Sequence, residues 1–256
     1  SDVCSSDLLY RMENFGIVSA PARECAVDTA DIWRECFPAS DAERDARLFT
    51  TLGGAVTLFI TAGGTAAGMC HLVPVRAGAL GGCYLFAVGV REKYRGMGGF
   101  RLLCRAAEEY ARREGLDFLT LVPADARLDA TYRRFGYRGN VGVPRFEIRE
   151  PAGLVPDRGA PPHVPSPADP LAVVPSDGFI AYLAVTYGGY RLGDTYLICG
   201  DEKDGSRPVY ACIADGERPR SLTRVTCGAH GLVLPLTPAA GRLCGAAEYY
   251  CSMGED

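Results

Sequence analysis

Hydrophobic and polar positions along the chain follow two periodicities, which predict a succession of helices and strands. Apolar residues three and four apart predict a helix over 27–37, and the pattern Ser40-Asp41-Ala42-Glu43 predicts the capped start of a second helix that runs to about Leu52. Strands at 55–62 and 65–75 flank Gly63-Gly64 and predict a hairpin. The predicted order then continues as strand 84–90, a glycine-rich turn, a helix, strand 117–122, a helix and a strand.

The amino-acid composition of the chain changes after Glu150. Seven of the twenty residues from 151 to 170 are proline, which favours a linker or an extended strap over a helix or a central strand. Beyond it we predict a helix over 179–187, a hairpin of strands 195–199 and 209–214, and a strand over 233–236. These patterns predict a domain over 13–150, a proline-rich linker over 151–170 and a smaller α+β domain over 171–256. Residues 1–12 do not begin with methionine and are interpreted as a non-native leader.

The most informative segment is the turn Arg95-Gly96-Met97-Gly98-Gly99-Phe100, which follows an apolar strand and opens a helix. The apolar face of that helix comprises Phe100, Leu103, Cys104, Ala107, Tyr110 and Ala111, and Gly115 predicts its end. The first turn of a helix leaves its N–H groups without helical partners, and its dipole favours an anion there. Glycines let a phosphate approach the backbone. The turn therefore predicts a cofactor with a pyrophosphate group. Neither the dinucleotide fingerprint nor the P-loop spacing fits it.

These residues resemble the acyl-CoA loop of the GNAT N-acetyltransferases, whose motif reads Arg/Gln-x-x-Gly-x-Gly/Ala after a valine-rich strand. Arg95 and Gly98 match the motif, and Gly96 is the glycine that commonly follows the arginine. Phe100 departs from the motif, because it stands where the last glycine or alanine is expected.

The segment 123–137 resembles a second GNAT signature, in which a helix ends in Leu-Tyr-x-Lys-x-Gly-Phe. Tyr132 falls on the tyrosine, Arg134 replaces the lysine, and Gly136-Tyr137 replaces Gly-Phe. Asp125 stands where many members carry asparagine. With two motifs in the right order, the chain is identified as a member of the GNAT superfamily, of the bacterial type with a C-terminal extension, and the likeness covers about 16–149.

The resemblance implies an α/β fold with a mixed central sheet and helices on both faces. The smaller C-terminal domain would follow it, either as an α+β unit or as a degenerate acetyltransferase-like half. The implied co-substrate is acetyl-CoA, and no metal is expected.

The resemblance also implies roles for particular residues. Val88 would donate its N–H to the thioester carbonyl, and the backbone of Gly89 and Val90 would pair with the pantetheine arm. Arg95 would add positive charge, and the pyrophosphate would be held by the amides of Gly96, Met97, Gly98, Gly99 and Phe100. Tyr132 would act as the general acid that protonates the leaving thiolate. The general base is not identified by the sequence; Tyr84 and Glu35 are both conceivable.

Composition excludes several classes of function. The 256 residues carry a net charge of −4, which gives no general attraction to nucleic acid or to acidic membranes. No apolar stretch is long enough to span a bilayer. The eleven cysteines include no C-x-x-C and accompany only three histidines, so we interpret them as small buried hydrophobic residues in a reducing, cytoplasmic setting and expect no zinc site.

The predicted function is N-acetyl transfer from acetyl-CoA to a primary amine of a small molecule or a peptide. The sequence does not identify the acceptor, and a homodimer is left open. A non-catalytic acyl-CoA-binding regulatory module is the alternative, since Phe100 and Asp125 are both off-pattern. A structural protein without a cofactor would require the glycine turn to be a coincidence.

Overall fold

The computed structural model describes residues 15–38, 54–149, 153–214, 219–225 and 229–250. The predicted leader and the predicted helix at 40–52 lie outside these residues. The helices are α1 (Ala26–Cys36), α2 (Gly99–Arg113), α3 (Ala126–Arg134), α4 (Asp177–Tyr187) and α5 (Leu243–Ala246). The strands are β1 (Phe15–Pro21), β2 (Val56–Ala62), β3 (Thr65–Ala77), β4 (Leu80–Val90), β5 (Phe118–Leu121), β6 (Arg138–Gly142), β7 (Arg145–Arg149), β8 (Val155–Pro156), β9 (Val174–Pro175), β10 (Gly189–Leu192), β11 (Thr195–Cys199), β12 (Ser206–Ile213), β13 (Leu222–Val225) and β14 (His230–Pro235).

The predicted helices and strands that fall on described residues are present, and the α/β fold class with a mixed sheet is confirmed. The sequence predicted one strand after α3 where the structure has two, β6 and β7, and it did not predict β1, β8, β9, β10 or β13. Most of these strands are very short, and β1 has mostly exposed side chains, so none offers the buried apolar run or the clear alternation that marks a strand.

The described residues form two compact units. The first contains residues up to Val73 together with Cys83–Gly115, and the second contains Pro74–Gly82 and the residues from Leu116 onward. The domain boundaries expected at residues 150 and 170 stay predictions, because a compact unit is not necessarily a domain that folds alone.

In the first unit, β1, β2, β3 and β4 lie side by side in sequence order. β1 pairs antiparallel with β2, and β2 pairs antiparallel with β3. Trp33 on α1 is 1% exposed, and its ring centroid lies 5.9 Å from that of Phe86 and 6.0 Å from that of His71. Trp33 is therefore a core residue.

In the second unit, β14 lies between β5 and β6 and is antiparallel to both. β5 and β6 are consecutive strands joined through α3, yet a strand from the end of the chain separates them. The chain between β6 and β14 forms a six-stranded sheet in the order β13-β7-β12-β11-β10-β8, in which each neighbouring pair is antiparallel. That sheet has its own apolar cluster, composed of Ile148, Leu197, Cys199, Val209 and Cys212.

Tyr249 fastens the end of the described chain to this second unit. Its side chain is 1% exposed, and its hydroxyl lies 2.7 Å from Oγ1 of Thr120, to which it can donate, and 3.3 Å from the carbonyl oxygen of Leu121. Thr120 in turn donates to the carbonyl of Leu232 on β14 at 2.9 Å. A Cβ on Gly231 would lie 2.5 Å from the tyrosine hydroxyl, so the ring occupies the space that a side chain there would need.

We expect Tyr249→Phe to lower the free energy of unfolding by about 1 kcal/mol, because a buried hydroxyl pair is lost while the ring is kept. Thr120→Val should have a similar effect. The double variant should lose less than the sum, with a coupling of about 0.5 kcal/mol or more in urea denaturation. Strict additivity of the two changes would show that the pair contributes nothing.

His71 predicts an acid sensitivity of the first unit. It is fully buried on β3, its Nδ1 lies 2.9 Å from Oγ1 of Thr57, and burial lowers its pKa to about 3. An unfolded histidine titrates near 6.5, so below that pH the unfolded state binds more protons than the folded state. The contribution of neutral His71 to stability is therefore complete above pH 6.5 and is lost as the pH falls toward 3.

We expect His71→Gln to flatten the dependence of stability on pH between 7 and 5. At the acid end of that range, the free energy of unfolding should fall with decreasing pH more steeply in the wild type than in the variant, by up to ~1.4 kcal/mol per pH unit. Denaturant unfolding at several pH values measures it. His163→Gln is the control, since His163 is 74% exposed and its variant should retain the steeper slope. Equal slopes for wild type and His71→Gln would contradict the assignment.

Candidate active site

The candidate site begins at an irregularity near the carboxyl end of β4. Ala87 has φ +51, in the left-handed region that residues with a Cβ rarely occupy. Such a residue interrupts the regular pleat of a strand, so the peptide groups after it leave the normal hydrogen-bonding pattern. Ala87 and Val88 are half-buried in a strand whose preceding residues are buried. The predicted thioester donor Val88 thus follows directly after the kink, and Gly89 and Val90 complete the strand.

The glycine turn leads from this strand into α2. A short 3-10 turn at Glu92–Tyr94 comes first, and Gly98, with φ +89, is the residue that precedes the helix. The N–H of Leu102 donates to the carbonyl of Gly98 at 3.0 Å, which closes the first helical turn. The first turn carries no acidic residue, and Gly98 has no side chain that could cap it. Its amides therefore present the partial positive charge that binds an anion.

Gly99 fixes where the helix starts. A Cβ on this residue would lie 2.6 Å from Cδ1 of Ile60 and 3.5 Å from Cγ1 of Val90, so the helix backbone rests directly on β2 and β4. The predicted apolar face of α2 is confirmed at Leu103, Cys104, Ala107 and Ala111, which are buried. Packing on this face holds the N-terminus of α2 in place at the end of β4.

Arg95 turns back onto the strand that precedes it. Its Nε donates to the carbonyl of Val90 at 2.9 Å, and its guanidinium also hydrogen-bonds to the thiol of Cys36 on α1. Burial raises the pKa of that thiol, and the contact with Arg95 opposes the rise. In this arrangement Arg95 closes the turn, and its predicted role toward a phosphate stays a prediction.

Tyr132 lies in the second compact unit, on α3, whereas the other predicted site residues, from Val88 to Phe100, come together in the first. Its side chain is 5% exposed, and its ring packs edge-on against Tyr137 at 5.5 Å. The helix begins at Asp125, whose carboxylate accepts the N–H of Leu128 at 2.7 Å. Asp125 therefore caps the helix as an asparagine would, so its departure from the family pattern has a structural explanation.

Glu35 and Arg91 belong to the site although the sequence did not predict their pairing. Nη1 of Arg91 lies 3.1 Å from Oε2 of Glu35, and the N–H of Glu92 donates to Oε1 of Glu35 at 2.6 Å. The two side chains are 56 residues apart in the chain, so no local spacing could have revealed the contact.

A second pairing that the sequence did not predict lies on α3. Nε2 of His230 lies 2.7 Å from the carboxylate of Asp129, whose pKa is lowered mainly by its hydrogen bond with Arg133. Asp129 is three residues before Tyr132 and so lies on a neighbouring part of the helix surface. The contact joins α3 to β14.

Within the described ranges, no group of three or more histidine, cysteine, aspartate or glutamate side chains is arranged to hold a metal ion. In the same part of the chain, every helix is too short or too polar to cross a membrane. Five of the cysteines found in apolar runs, Cys70, Cys83, Cys104, Cys199 and Cys212, are buried as predicted.

In this α/β domain, a strand with a positive φ at Ala87 leads through a glycine turn to a helix N-terminus without a side-chain cap. Residues 26–137 match the family model described as the acetyltransferase (GNAT) family. The chain thus contains a GNAT acetyltransferase domain over these residues. It is therefore an acyltransferase that takes its acyl group from acyl-CoA.

Solved structures share the fold over most of the chain. A GCN5-related N-acetyltransferase from Anabaena variabilis is 16% identical with a TM-score of 0.57, over 85% of this chain and 72% of that one. A candidate acetyltransferase from Pyrococcus horikoshii is 14% identical with a TM-score of 0.58, over 94% and 95%. Eis1 from Mycobacterium abscessus is 12% identical with a TM-score of 0.57, over 86% and 73%. At these identities the likeness shows the fold alone. A sequence search of curated proteins gives no match.

The two ends of α2 provide a test of the phosphate loop. Gly98 and Gly115 both have positive φ, +89 and +70, and Gly115 lies in open space at the far end of the helix. We expect alanine at either position to cost about 1 kcal/mol of stability. Gly98→Ala alone should raise the Kd for acetyl-CoA, by about tenfold, because its strain displaces the amides of the first turn.

Calorimetric titration of both variants with acetyl-CoA checks this expectation. Gly98→Glu should abolish binding, since it places a carboxylate in the anion site. Equal affinity in wild type and Gly98→Ala would show that the cofactor does not bind at this helix N-terminus.

Proposed function

We propose that the protein transfers an acetyl group from acetyl-CoA directly to a primary amine of a small molecule or a peptide. The observation that carries this proposal is the continuous backbone path from the kink at Ala87, through Gly98, to the uncapped first turn of α2. That path offers amide donors where a thioester, a pantetheine arm and a pyrophosphate would lie in succession. The cysteine usage supports a reducing, cytoplasmic setting for the reaction.

In the proposed mechanism the backbone does most of the binding. The N–H of Val88 donates to the thioester carbonyl oxygen and stabilises the charge that develops there as the amine attacks. The backbone of Gly89 and Val90 pairs with the pantetheine amides. The amides from Gly96 to Phe100 hold the pyrophosphate, with Arg95 adding charge.

Tyr132 is the proposed general acid. As the amine forms its bond to the carbonyl carbon, the carbon–sulfur bond breaks and the hydroxyl of Tyr132 gives its proton to the departing sulfur. A thiol has an ordinary pKa near 8.5 and a phenol one near 10, so this proton transfer is close to balanced and assists departure of the thiolate. The amine loses its own proton to solvent or to a base that the sequence does not identify.

The alternative is a regulatory module that binds acyl-CoA without transferring the acyl group. Phe100 favours it, since a half-buried aromatic residue stands in the first turn of α2 where the family motif has glycine or alanine. Under this alternative acetyl-CoA binds at the same turn, but no amine increases the rate of CoA release.

We expect Tyr132→Phe to reduce kcat by about tenfold or more while the Kd for acetyl-CoA stays within about twofold of wild type. Tyr137→Phe is the matched control, because Tyr137 is the ring partner of Tyr132 and is likewise buried. Thiol release with a panel of amines measures kcat, and calorimetry measures the Kd. Unchanged turnover in Tyr132→Phe would remove Tyr132 from the mechanism, and binding without turnover for any amine would favour the regulatory module.

A further inference from the structure

The last turn of α1 contacts the start of the glycine turn through a partly exposed ion pair. The carboxylate of Glu35 uses both oxygens, since Oε2 lies 3.1 Å from Nη1 of Arg91 and Oε1 accepts the N–H of Glu92 at 2.6 Å. The side chain of Glu35 is 33% exposed and that of Arg91 is 20% exposed. A pair this sheltered is screened less by solvent than an ordinary surface pair.

Arg91 also forms hydrogen bonds with β3. Its backbone N–H donates to the carbonyl of Ala67 at 2.9 Å, and its Nε donates to the carbonyl of Ala66 at 3.0 Å. With the bond to Glu35, Arg91 is held by three partners at the point where β4 ends and the turn begins. Its backbone and side chain are thus both fixed immediately before the segment that contains the cofactor amides.

Cys36, the residue after Glu35, packs against β4. A Cβ on Gly89 would lie 3.0 Å from Sγ of Cys36, so α1 packs directly on the backbone of β4. Arg95 bridges the thiol of Cys36 and the carbonyl of Val90. The end of α1 therefore touches the loop at its start, through Glu35, and at its middle, through Cys36.

We propose that Glu35 is a positioning residue for acyl-CoA, which holds the start of the turn so that the amides of Gly96 to Gly99 keep their binding geometry. Glu35 acts through Arg91 and the N–H of Glu92 and does not touch the reacting atoms. This role differs from that of a general base, because both carboxylate oxygens already accept hydrogen bonds from the loop. The inference rests on the proposed binding of acetyl-CoA at this turn.

The test compares Glu35→Ala and Glu35→Gln in the full chain. Glu35→Ala should raise the Kd and the KM for acetyl-CoA by about tenfold while kcat at saturation stays within about threefold. Glu35→Gln should lie between wild type and Glu35→Ala, since the amide oxygen can still accept the N–H of Glu92. The control is Asp31→Asn on the same helix, because Asp31 pairs with Arg34 where both are 58% exposed; it should leave every value unchanged.

Hydrogen exchange of the ligand-free protein tests, without any cofactor, whether Glu35 holds the start of the turn. Amides 91–99 should exchange faster in Glu35→Ala than in wild type or Asp31→Asn, with the exchange of α2 unchanged. Unaltered exchange and an unaltered Kd would overturn the inference and leave the proposed function standing. A large fall in kcat that is equal for Glu35→Ala and Glu35→Gln would also overturn it, in favour of a base. A wild type that binds no acetyl-CoA would overturn the proposed function itself.

Discussion

The absence of a side-chain cap at the N-terminus of α2 is the constraint on which the candidate site of the first unit depends. A helix whose first turn has no capping side chain needs an anion or water as its partner, and the local charge favours an anion. Two glycines at the start of the helix disfavour a side-chain cap. Gly98 adopts a conformation that a capping serine or aspartate would find strained, and a side chain on Gly99 would have to displace Cδ1 of Ile60. The loop thus gives up local stability in return for a binding surface made of backbone.

A backbone site of this kind explains why two short motifs were enough to identify the chemistry. The requirements for glycine, a preceding strand and a following amphipathic helix are all local in sequence, so Arg95 to Phe100 could be read directly. The same is true of the helix end at Gly136 and of the apolar face of α2. What local patterns cannot contain is the identity of a distant partner. Glu35 and Arg91 lie on different elements, and neither residue stands out until the fold brings them together.

The position of β14 is the clearest case of this limit. Val233 and its neighbours were predicted as a strand, but the sequence did not predict which strands would flank it. In the structure it pairs with β5 and β6, which flank α3 in the chain, and Tyr249 then fastens the following segment to Thr120. An apolar run specifies that a strand forms, whereas the choice of neighbour depends on complementary surfaces along two strands. Strand β14, from the C-terminal part of the chain, thus lies between the two strands that flank the helix of Tyr132 in the sequence.

Glu35 shows how the surroundings of a carboxylate decide what it can do. The sequence left Glu35 conceivable as a base. In the structure its oxygens accept hydrogen bonds from Arg91 and from the backbone of Glu92. A general base needs an oxygen within reach of the proton that it removes. Taking a proton would also require Glu35 to give up an ion pair that holds the start of the cofactor turn. The contacts that occupy both oxygens of Glu35 are the ones through which it can shape the turn, so its effect is expressed in the geometry of other groups.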